Sequence, residues 1–109
     1  MGVSATLKGL YKGEKKYLKF KVKDINGDAV DCTGSTVTCS AWESGAESVM
    51  FTVADASFDK TDIATGIFRA EATLSSAGTF ILLFQITFSN GHIEKEEFEM
   101  IVTDRTPPS

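Results

Sequence analysis

Apolar and polar residues alternate along most of this chain with the two-residue period of a β-strand, and glycine, asparagine, serine and aspartate interrupt the alternation at short intervals. The clearest stretch is 16–24. There Leu18, Phe20 and Val22 face one way and Lys19, Lys21 and Lys23 the other, so one side packs on a core while the other meets water or a partner. An irregular strand over 5–12, expected at a sheet edge, precedes it. Asn26-Gly27 reads as a tight turn built on positive φ angles, and Val30 and Cys32 as a short extended piece. Strands follow over 35–42 and 48–54, the second with Val49, Phe51 and Val53 on one side. A polar connection over 55–65 carries Phe58 and Ile63 as core plugs, and alternation resumes over 66–74.

The most apolar strand covers 79–89. Phe80, Leu82, Phe84, Ile86 and Phe88 share one face, and Ile81 and Leu83 on the other mark a central strand. Asn90-Gly91 turns it into a last strand whose Phe98, Met100 and Val102 point inward. No stretch of useful length has the helical period. The pattern predicts an all-β fold, a single immunoglobulin-like antiparallel β-sandwich of about seven strands over 1–104. Residues 105–109 form a tail or linker, since Pro107 and Pro108 cannot donate to a ladder.

A length of 109 residues fits one such domain, and eight phenylalanines can supply most of its core. No apolar run is long enough to span a bilayer, and the first residues lack the pattern of a secretion signal. Cys32 and Cys39 would stand roughly 20 Å apart if the chain between them is extended, beyond bridging distance. They read as two free, buried thiols, which suits a reducing compartment.

The residues that could carry chemistry do not assemble into a reactive set. His92, the single histidine, falls in an exposed turn, away from a buried Cys39 that would need it as a base. Asp55, Asp59 and Asp62 share a loop but lack the alternate-position spacing of a calcium loop, and they read as turn formers. Neither a zinc ligand set nor a phosphate-binding glycine loop is present. The expectation is no catalytic residue, no cofactor and no metal. Trp42 has the opposite parity to Cys39. It is either an outward interface anchor or, if a strand-end bulge turns it, a core or covering residue.

Charge adds the one local signal of interaction. Residues 1–23 carry seven lysines against Glu14, a net +6, while the remainder carries −10, for −4 in all. The overall acidity and the lack of an arginine cluster argue against nucleic acid. Lysines on one strand face discourage edge pairing. They also offer a basic surface, here Lys19, Lys21 and Lys23, to an acidic one on a neighbour containing Glu94, Glu96, Glu97 and Glu99. Together with Trp42, Glu97 and Glu99, the three lysines are the candidate protein-interface residues.

The stretch Leu18-Lys-Phe-Lys-Val-Lys-Asp-Ile-Asn-Gly-Asp-Ala-Val-Asp-Cys-Thr-Gly-Ser-Thr-Val resembles the start of bacteriophage baseplate upper protein N-terminal domains, in which a strand runs into Asp-x-x-Gly and then Val-Asp-Leu-Thr-Gly. Gly66-Ile-Phe-Arg, Gly78-Thr-Phe and Phe98-Glu-Met-Ile-Val are similar to later parts of the same immunoglobulin-like domain. The resemblance implies a noncatalytic virion component of the tail, baseplate or neck, assembled in a host bacterial cytoplasm. Its partners would be other virion proteins, in homo-oligomeric or arrayed form, with neither nucleic acid nor membrane. The alternatives are a capsid decoration protein, or a carbohydrate- or receptor-binding adhesin module from a longer chain.

Overall fold

In the computed structural model, which describes residues 5–45 and 48–104, seven strands form two facing sheets. They are β1 (Ala5–Tyr11), β2 (Lys15–Lys21), β3 (Thr36–Glu43), β4 (Val49–Val53), β5 (Ile67–Thr73), β6 (Gly78–Thr87) and β7 (Ile93–Thr103). The larger sheet has the order β1-β7-β6-β3-β4, and the smaller is the pair β2-β5. The immunoglobulin-like sandwich is therefore the fold. Neighbours pair antiparallel except β1, which joins β7 in parallel at an edge, with its register broken between Leu7 and Leu10.

The alternation read from the sequence is the alternation of burial except in β4, where a bulge at Met50 turns Val49 outward, away from the side that Phe51 and Val53 share. Leu18, Phe20 and Val22 face Phe80, Leu82, Phe84 and Ile86 across the interior, with Phe68, Leu74 and Met100 among the side chains most completely removed from water. Five phenylalanines make the centre. Phe20 stacks on Phe84 at 4.4 Å between ring centroids, and Phe58, Phe68 and Phe98 pack round them at tilted or edge-on angles. Phe58 comes from the 55–65 connection, which contains two single 3-10 turns, and it plugs the core as expected; Ile63 is only half-buried.

The two Asn-Gly turns need correction. Among the described residues only glycines take positive φ, so Asn26 and Asn90 do not form the mirror-image turns that Asn-Gly suggested. Asp24 organises the first turn instead, its Oδ1 accepting from the N–H groups of Asn26 and Asp28, and Asn90 Oδ1 accepts from His92 N–H in the second. The short segment around Val30 and Cys32 lies outside the seven strands and is tied by single bonds to Val22 O and Ile63 O. The proposed tail at 105–109 lies outside the described residues.

Candidate protein-interaction site

Two strands cover only part of the face that five present, and this inequality creates the site. Val22 N–H donates to Gly66 O and Leu74 N–H to Glu14 O, at 2.8 and 2.9 Å. Because antiparallel pairs alternate, the even-numbered residues of β2 exchange bonds with β5, and Lys15, Tyr17, Lys19 and Lys21 turn their backbone groups to the opposite edge. Among the described residues no strand pairs along that edge. The far edge of β5 is occupied, since Asp59 and Arg69 exchange bonds of 2.7 and 3.2 Å across it.

Beside the open edge lies a groove of about 180 Å³. Its floor is Leu82 and Phe98 of the larger sheet, its far wall Leu7 and Leu10 of β1, and its near wall residues 16–20 of β2. Four apolar side chains thus flank a row of backbone donors and acceptors. Lys15 pairs with Glu71 at 3.6 Å and Lys16 with Glu14 at 3.2 Å, whereas Lys19, Lys21 and Lys23 enter no ion pair among the described residues. Tyr17, on the same outward side, is 77% exposed.

The other three candidates sit on the opposite side of the molecule. In the larger sheet Trp42 stands beside Ile81 and Ile81 beside Glu99, while Ser40, Leu83 and Glu97 form the adjacent row. These rows flank the inward-facing row of Ala41, Leu82 and Phe98, so Trp42, Glu97 and Glu99 share the outer face. A bulge does occur next to Trp42, but the extra residue is Met50 of β4, so the tryptophan stays outward and half-buried.

The single acidic face does not exist. Glu94 and Glu96 lie opposite Ile86 and Phe84 and point between the sheets; burial pushes the Glu96 carboxyl above its usual range.

The remaining polar residues have structural duties. Asp55 accepts from Val37 N–H at 2.8 Å and pairs with Lys60 at 2.6 Å, so its carboxyl is held below the usual range by Lys60 first and by that N–H second. Asp59 accepts from the Thr61 hydroxyl and N–H, which lower its pKa, and Asp62 pairs with Arg69 at 2.6 Å. Among the described residues no group of three or more His, Cys, Asp or Glu is placed to hold a metal ion. Cys32 and Cys39 are free and buried, and burial raises both thiols, Cys39 to about 11. His92 is exposed in its turn, stacked on Phe88 at 5.9 Å, while Cys39 lies mid-sheet between Phe84 and Val53.

The sequence singled out the lysines of this candidate site and not Tyr17, Leu7, Leu10, Leu82 and Phe98. The parity of Tyr17 with Lys19 was a readable signal. The groove was not, since it depends on which sheet each strand joins.

No family model matches the chain, and no curated protein matches it. Among solved structures it is similar to CopC from Methylosinus trichosporium OB3b, with a TM-score of 0.61 at 14% identity over 99% of this chain and 91% of that one. This likeness shows the shared fold. It also overturns the bacteriophage baseplate resemblance and the virion role drawn from it, which find no support in either sequence comparison. The physical reason is plain in the backbone. Gly27, Gly34, Gly66 and Gly78, which anchored the quoted motifs, all take positive φ at turns or strand starts, so the motifs report turn geometry that unrelated sandwiches also require.

Proposed function

We propose that this chain is a noncatalytic protein-recognition module that engages its partner along the open edge of β2. The observation that carries the reading is the coincidence on one strand of backbone groups that no strand pairs and two lysines, Lys19 and Lys21, that enter no ion pair, all among the described residues, with an adjoining apolar groove. Each alone is ordinary; together they supply hydrogen bonding, charge and apolar area, the three components of a peptide- or strand-binding surface. Affinity capture from the native source compares the wild-type chain with the double variant Lys19→Glu, Lys21→Glu at low salt. A protein retained by the first, lost by the second and released by salt supports the reading. Equal retention by both contradicts it.

A second reading is self-assembly. Lys19 and Lys21 lie on the outer face of the small sheet, whereas Glu97 and Glu99 lie on the outer face of the large one, so stacked copies would bring unlike charges together head to tail. Sedimentation equilibrium tests this: an association that grows with concentration and vanishes with salt is expected, and a monomer at every concentration and salt excludes it.

A further inference from the structure

We infer that the partner's binding element is an extended segment alternating apolar and acidic residues, which adds to β2 as the third strand of the small sheet; this rests on the protein-recognition reading above. The backbone dictates the extended form. Lys15, Tyr17, Lys19 and Lys21 direct N–H and C=O groups outward in one line, and only an extended chain meets donors and acceptors spaced by two residues. Seven residues of β2 offer an edge of roughly 23 Å at the rise of a strand.

The two faces of the small sheet dictate the alternation. An added strand sends every second side chain inward onto Leu7, Leu10, Leu82 and Phe98, so those positions are apolar. The intervening side chains lie outward beside Lys15, Tyr17, Lys19 and Lys21, where acidic residues gain cross-strand attraction.

Charge also rejects the obvious competitor. Two copies joined β2 to β2 would align lysine strands against each other, which is destabilising at close range. The other sheet edges are poor templates, because β1 is interrupted by a register shift and β4 is five residues long with a bulge. The lysines thus act as a filter. They repel a second β2 and admit a strand of opposite charge.

The test titrates the 15N-labelled chain with the end-capped peptide Glu-Val-Glu-Phe-Glu-Val-Glu, and with two N-methylated forms carrying the methyls on the glutamate or on the apolar amides. At about 50 mM salt, where screening is weak, the peptide is expected to shift the amides of Tyr17, Lys19 and Lys21 and those of Leu7 and Leu10. One N-methylated form loses binding and the other keeps it, since only one set of amides faces β2; the sensitive set reports antiparallel or parallel addition. The variant Lys19→Glu, Lys21→Glu weakens the peptide by at least about tenfold, and exchanging its glutamates for lysines abolishes binding.

Absence of shifts with peptide on the order of 1 mM overturns the inference, as does equal binding by both N-methylated forms. Concentration-dependent protection of the Tyr17, Lys19 and Lys21 amides from hydrogen exchange without peptide also overturns it, by assigning the edge to a second copy. The capture experiment is independent. A partner lost on charge reversal, together with a failed peptide titration, keeps recognition at β2 and discards strand addition.

Discussion

Phe84 is the residue on which the two sheets meet, stacked at 4.4 Å on Phe20 and edge-on to Phe58 at 6.2 Å. Phe84→Ala would leave a cavity that rings on two sheets cannot jointly fill, and a loss of about 3–5 kcal/mol is expected in urea unfolding. Asp55 works differently, tying the 55–65 connection to the start of β3. Its folded pKa is depressed, so its contribution is present above the ordinary carboxylate range and is lost as pH falls through the folded value. Asp55→Asn should cost about 1 kcal/mol at neutral pH, the modest size reflecting its partial exposure, and the gap to wild type should close in acid.

Glu96 has the opposite sign. Burial raises its folded pKa, so its ionised form opposes folding, and stability falls as pH rises through the folded value. It shares its recess with Lys23, Glu94 and Lys95, whose charges do not remove the effect of burial. Glu96→Gln should raise the melting temperature at pH 7, and the gain should vanish below the carboxylate range. The residue also shows where sequence reading went astray. Strict two-residue alternation with Phe98 placed Glu94 and Glu96 inside, yet the density of acids in 94–99 invited a single acidic face.

At the scale of elements, β2, β3, β5 and β6 were legible because one face of each is buried, and a one-residue slip would bring every apolar side chain out. Parity correctly separated Trp42 from Cys39, and Ile81 and Leu83 correctly marked β6 as central. The turns were less legible, since Asn-Gly fits several turn types and the Asp24 side chain decides which forms. Gly66 is a junction that sequence could flag only as a turn. Its φ is +73°, and a Cβ there would lie 2.7 Å from both Val22 O and Val30 O. The strained backbone alone costs an alanine about 1–3 kcal/mol, so Gly66→Ala should lose more than that in thermal unfolding as β2 and β5 are forced apart at that end.

The division of seven strands into five and two belongs to the molecule as a whole. Nothing within β2 or β5 states that no third strand will join them, because sheet membership follows from connections between distant segments. That division exposes the β2 edge and opens the groove at Leu7, Leu10, Leu82 and Phe98, so the apolar half of the candidate site was hidden in the sequence while its lysine half was plain. Charge supplied the position of the surface, and topology supplied its form.

Hydrogen exchange along β2 tests the open edge most directly, measured on the isolated chain and on its complex with the captured partner. In the isolated chain the amides of Lys16, Leu18, Phe20 and Val22 should exchange slowly and those of Tyr17, Lys19 and Lys21 rapidly, and the rapid set should become slow in the complex. Protection of Tyr17, Lys19 and Lys21 already in the isolated chain, or no change in them when the partner binds, would contradict recognition at this edge.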